Sequence, residues 1–183
     1  MIRYLLGLII IFTSSYSLAD EPPLPPTPYK IELESGNKVF VMIPHGGKFE
    51  DFTQSGLYHY VDVYDSSINP WKQIYSFSQY LYQGEFYISN DGRYIVDIPW
   101  WIFTKAEFKP TSPALTFYKD GGKVRSIEVS NLMSLKKGLQ SVSHIQWDFQ
   151  KDRIFDSDKN ILTIQTRSGK SISFDITTGQ IIK

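Results

Sequence analysis

The residues whose types and spacing could do chemistry fall into four small groups. His45-Gly46-Gly47 has the form of an esterase oxyanion loop. Such a loop works beside a Gly-x-Ser-x-Gly elbow on a strand-to-helix turn, and the chain holds no such pentapeptide. Ser134-Leu135-Lys136-Lys137 matches the Ser-x-x-Lys nucleophile of penicillin-binding enzymes. Those sites also need Ser-Asp-Asn and Lys-Thr-Gly motifs; the first is absent here, and Arg167-Ser168-Gly169 is a poor echo of the second. Glu85 and Asp97 stand near the open end of one hairpin, where two carboxylates about 5 to 9.5 Å apart would serve a glycosidase. Asp156-Ser157-Asp158-Lys159-Asn160 starts like a calcium loop, with Asp156, Asp158 and Asn160 as weak oxygen-ligand candidates. An EF-hand requires glycine at the sixth position and glutamate at the twelfth, where this chain has Ile161 and Arg167. His45, His59 and His144 show no metal-ligand spacing. The residues therefore imply no catalytic centre, no resident metal and no cofactor.

What remains is aromatic surface. Trp71, Trp100, Trp101 and Trp147 are the four tryptophans, and tyrosines crowd residues 58–94. Alternation places Trp147 in the core. Trp100 and Trp101 cannot both face a core if their strand continues, because neighbouring side chains point to opposite faces. Pro99 and the polar, proline-bearing run to Pro113 read as a strand end followed by a long loop, a frequent seat of function. Tryptophan is also the residue most enriched at binding hot spots. The expectation is a non-catalytic interaction module that contacts an envelope protein through Trp71, Trp100 and Trp101. A carbohydrate-binding module, with the same rings stacked on sugar faces, is the alternative. A hydrolase built from acidic residues ranks last.

The start of the chain bears on compartment. Arg3 precedes an apolar run over residues 4–12, and Ser17-Leu18-Ala19 puts small residues at the two positions a signal peptidase reads. This is a secretory signal peptide, residues 1–19, with cleavage before Asp20; the apolar run is too short for a membrane span of roughly 20 residues. The expected location is periplasmic or secreted, without membrane insertion after cleavage. Residues 20–30 hold five prolines in a Pro-rich extended spacer. Residues 31–183 are long enough for a single domain with its own core. Stability has to come from that core, because there is no cysteine to cross-link. Nineteen basic residues balance nineteen acidic ones, which gives no electrostatic footprint for nucleic acid.

From Lys38 onward the apolar pattern has period 2, and the fold class is all-β. Val61 and Val63 share a face with Leu57 and His59, opposite Tyr58, Tyr60, Asp62 and Tyr64. Ile172, Phe174 and Ile176 alternate as cleanly. One buried and one wet face is the expectation for each such strand. Residues 130–138 alone suit a helical turn or two, with Ser130 as N-cap. Asn90-Asp91-Gly92, Asp120-Gly121-Gly122, Ser168-Gly169-Lys170, Thr177-Thr178-Gly179 and Asn69-Pro70 mark turns, so about 10–12 short strands form an antiparallel meander. Tyr64-Asp65, Tyr118-Lys119-Asp120 and Phe174-Asp175 recur 54 and 56 residues apart, which implies a repeated four-stranded unit. Ser89-Asn90-Asp91-Gly92-Arg93-Tyr94 and Phe174-Asp175-Ile176-Thr177-Thr178-Gly179 resemble blade hairpins of the WD40, TolB-like and quinoprotein-like β-propeller families. The resemblance covers these phrases only, and Trp147-Asp148 lacks the Gly-His partner of a WD40 repeat. It implies a propeller-blade-like arrangement, although three units are fewer than the four to eight of a closed propeller. A β-sandwich is the alternative.

Overall fold

The computed structural model of the chain describes residues 29–43, 60–77, 84–99, 109, 111–132, 139–140 and 145–182. Three four-stranded antiparallel sheets follow one another along the chain, each with its strands in sequence order. The first joins β1 (Tyr29–Glu32), β2 (Lys38–Ile43), β3 (Tyr60–Asp65) and β4 (Lys72–Phe77). The second joins β5 (Gly84–Ile88), β6 (Tyr94–Pro99), β7 (Pro113–Lys119) and β8 (Gly122–Glu128). A pair of two-residue strands, β9 (Leu139–Gln140) and β10 (Ile145–Gln146), precedes the third sheet. That sheet joins β11 (Ile154–Asp156), β12 (Ile161–Gln165), β13 (Ser171–Asp175) and β14 (Gln180–Ile182). The class is all-β, as the alternation requires. β1 begins at Tyr29, inside the segment read as spacer, because Tyr29 and Lys30 already pair with Met42 and Val41.

The repeat phrases have one structural meaning. Tyr64-Asp65, Tyr118-Lys119 and Phe174-Asp175 each end the third strand of their sheet. Asp65 and Asp175 then organise the next turn in the same way, accepting the backbone N–H of the residue two positions on, Ser67 or Thr177. Asp120-Gly121 makes a two-residue hairpin turn with both residues at positive φ, 47° and 81°. The helical turn falls one residue earlier than expected. It is α1 (Val129–Leu132), with Val129 and Leu132 buried, so Ser130 lies inside it and donates to Glu128 rather than capping it. Residues 133–138 lie outside the described residues.

The sheets stack face to face, with the second between the other two. Phe40, Met42, Val61 and Val63 of the first meet Ile95 and Tyr118 of the second, and the Phe40 and Phe86 rings lie 5.0 Å apart. On its other face the second sheet sends Val96, Ile98, Leu115, Phe117 and Ile127 against Leu162, Ile164, Phe174 and Trp147. Each such side chain contributes about 1.5–3 kcal/mol when fully buried. One expectation changes as a result. Asp62 and Tyr64, assigned to a wet face, are 1% and 8% exposed, because the first sheet carries apolar residues on both sides. On its far face Val39, Val41, Ile43 and Tyr64 form a further cluster, and Asp62 is accommodated there by hydrogen bonds from Tyr64 and Gln73.

Glycine seals the second sheet to the third. Gly179 has φ +67°, and a Cβ there would lie 2.8 Å from Phe117 Cδ2 of the neighbouring sheet. Gly169 has φ +84° and open space around the same position. Both glycines therefore share the backbone penalty for an L-residue, about 1–2 kcal/mol, while Gly179 alone adds a clash. Gly179→Ala should lower the unfolding free energy by about 2–4 kcal/mol, and Gly169→Ala by about 1–2 kcal/mol. Chemical denaturation of the two variants checks the difference.

Candidate functional site

The first strands of all three sheets converge on one cleft of about 260 Å³. β1 and the turn after it supply Ile31, Glu32, Leu33 and Glu34; β5 and its turn supply Phe86, Tyr87, Ile88 and Asn90; β11 and its turn supply Phe155 and Ser157. The strands reach it because each sheet is a meander whose first strand lies at the same side of the stack. Polar bonds between sheets hold the walls. Ser157 donates to Glu34 Oε2 at 2.8 Å, and Asn90 donates to Asp158 Oδ1 at 3.3 Å. The Tyr87 and Phe155 rings pack 5.2 Å apart between the second and third sheets. The cleft is lined by aromatic and aliphatic residues, with the Glu34 carboxylate on Ser157 at its edge. Glu32 pairs with Val39 and turns its side chain to the far face of the first sheet.

Behind Tyr87 lies an ion network centred on a buried arginine. Arg153, its side chain 1% exposed, donates through Nε to Asp148 Oδ2 at 2.6 Å and through Nη1 to Glu85. Tyr87 also donates to Glu85, and burial with this carboxylate pushes the phenol above its usual range. Arg167 donates to the Asp148 carbonyl at 3.0 Å, and its guanidinium stacks on Phe149. Asp148 keeps one cost: its Oδ1 is buried with no hydrogen-bond partner among the described residues. The network couples the cleft wall on β5 to the third sheet, so it positions the site. Its charges face one another and leave none directed at a substrate.

Several sequence expectations meet their geometry here. Glu85 and Asp97 do not form an acid pair: Glu85 registers with Ile98, and Asp97 with Phe86 and Thr116, so the two carboxylates point to opposite faces of the second sheet. Glu85 faces the third sheet with Tyr87, whereas Asp97 lies with Ile95 against the first. Asp156 and Asp158 sit in the turn between β11 and β12. Asp156 accepts from Lys159 through both its backbone N–H and its Nζ, Asp158 accepts from Asn90, and Asn160 has φ +56° with its Oδ1 buried. Among the described residues no group of three His, Cys, Asp or Glu is placed to hold a metal ion. Trp71 is half-buried on the far face of the first sheet, 6.4 Å from the Tyr64 ring with Lys30 Nζ over it. It is not among the residues that line the cleft. Trp100, Trp101, His45, His59, His144 and Ser134 lie outside the described residues. Trp147 is fully buried, as alternation placed it.

No protein-family model matches the chain, and no curated protein matches it at a significant level. Among the described residues no helix is long and apolar enough to cross a membrane. Function then has to be argued from the site itself. Sequence reasoning missed the cleft residues and Arg153, and the one signal available was the turn resemblance at Asn90-Asp91-Gly92, which marks the end of a first strand.

Two outcomes follow from these charges. Arg153→Met leaves Asp148 buried without its cation and should cost about 3–5 kcal/mol in equilibrium unfolding. Asp97 supplies the pH dependence. Burial raises its carboxyl from 3.8 to about 7. Below pH 3.8 both folded and unfolded states are protonated and no cost arises. The cost grows as pH rises from 3.8 to about 7 and is constant above that. Asp97→Asn should therefore gain on the parent protein between pH 4 and 7, by on the order of 2–4 kcal/mol. Denaturant melts across that pH range would show two parallel curves if Asp97 titrated normally.

Proposed function

We propose that the protein is a non-catalytic binding module of the periplasm or cell surface whose contact site is the three-sheet cleft, and that its partner is an envelope protein. The observation that supports this reading most is the convergence of β1, β5 and β11 on one cleft whose polar groups bond one another across the sheets. A site for bond cleavage would instead need a nucleophile or an acid–base pair in mutual reach; the acid pair offered by the sequence is split across a sheet. In this reading the three sheets are an arc of propeller-type blades, and the cleft is the place where such blades present their first strands. Trp71 then offers a separate contact surface on the far face of the first sheet.

Site-specific photocrosslinking in the producing cells tests the proposal. A benzoylphenylalanine in place of Asn90, at the cleft, should capture one discrete protein adduct. The same probe in place of Val124, exposed on β8, should capture none. Adducts from probes at Trp71 and Trp101 without any from Asn90 would move the contact to the tryptophans. No adduct from any of these positions would overturn the binding-module reading.

A further inference from the structure

We propose that the cleft receives a single basic side chain, the ammonium of a lysine or the guanidinium of an arginine carried on its aliphatic stem by the partner protein. This rests on the reading of the cleft as the contact site and names what enters it. Size argues first. Pockets that enclose drug-sized ligands run from about 300 to 1,000 Å³, and this cleft, at about 260 Å³, is smaller. It holds one long side chain better than a nucleotide or a flavin.

Chemistry argues second. Glu34 holds its carboxylate at the cleft beside Ser157, and no lysine, arginine or histidine lines it among the described residues. Glu32 borders the cleft but pairs with Val39, so its side chain turns to the far face of the first sheet. The nearby basic groups are engaged elsewhere: Arg153 is enclosed by Asp148 and Glu85, and Lys159 lies on Asp156. Phe86, Tyr87 and Phe155 bring aromatic rings, which attract a cation, to the lining, while Ile31, Leu33 and Ile88 suit its methylenes. Ser157 donates to Glu34 Oε2, which fixes that carboxylate on the wall rather than leaving it to swing in solvent. A neutral chain would gain the apolar contact without the carboxylate; an anion would meet repulsion. A basic side chain uses both halves of the lining.

The test is residue-resolved NMR on isotope-labelled protein, titrated with Nα-acetyl-lysinamide, Nα-acetyl-argininamide and the neutral isostere Nα-acetyl-norleucinamide. Either cation should move the amide signals of residues 31–34, 86–90 and 155–157 saturably, with a Kd on the order of 1 mM. The isostere should bind at least about tenfold more weakly. Glu34→Gln keeps an acceptor for Ser157 while removing the charge, and it should cost about tenfold for the cations and leave norleucinamide unchanged. Equal shifts from all three probes, or none in these segments, would overturn the cation assignment while leaving the crosslinking result standing. Spermidine provides the remaining arm. Binding far tighter than that of a lysine-containing peptide would overturn the protein source in favour of a free polyamine; the reverse order supports the partner's side chain.

Discussion

Stacking four-stranded sheets face to face leaves the middle one, β5–β8, without a broad wet face, and the rest of the molecule answers to that constraint. Apolar residues occupy both sides of β6 and β7, so that Ile95 faces one neighbour and Val96 the other. Turns that meet an adjacent sheet have to be thin, which is why Gly92 approaches Leu33 and Val63 and Gly179 approaches Phe117. The few polar groups trapped between sheets have either to find partners or to shift their protonation. Arg153 takes the first course and Asp97 the second.

The same stacking produces the cleft. Sheets with a right-handed twist fan apart when they pack, and their first strands come together on one side of the fan. Exposed apolar residues occur on first strands, at Ile31 and Ile154, as well as on fourth ones. Ile74 on β4, Val124 on β8 and Ile181 on β14 are all substantially exposed. The inner side holds the inter-sheet hydrogen bonds and the aromatic pair of Tyr87 and Phe155. The walls of the cleft are thereby fixed in advance by bonds between sheets.

Local chemistry was legible in the chain and long-range chemistry was not. Glycines at 92, 121, 169 and 179 had to adopt positive φ wherever they sat, and they do. The recurrence at Tyr64, Tyr118 and Phe174 marks a strand end that depends on a few adjacent residues. The wetness of Asp62 and Tyr64 depended instead on what lies across the sheet, which alternation cannot report. The cleft was hidden for the same reason: Glu34 and Ser157 are 123 residues apart in sequence, and Asn90 and Asp158 are 68 apart. Tryptophan, the strongest signal in the composition, directed attention to Trp71, which lies on the far face of the first sheet.

Repeated units carry a hazard that the buried arginine addresses. Three meanders with similar apolar faces are nearly interchangeable as packing partners, so hydrophobic burial alone would tolerate a wrong neighbour or a sheet from another copy of the chain. Arg153 sits on the third sheet's entry and Glu85 on the second sheet's first strand. Arg153 keeps Asp148 whatever sheet lies beside it, and only the correct neighbour adds the second carboxylate, Glu85, with the Tyr87 hydroxyl on it. The ion network therefore acts as an address label, one that only the correct order of sheets can read.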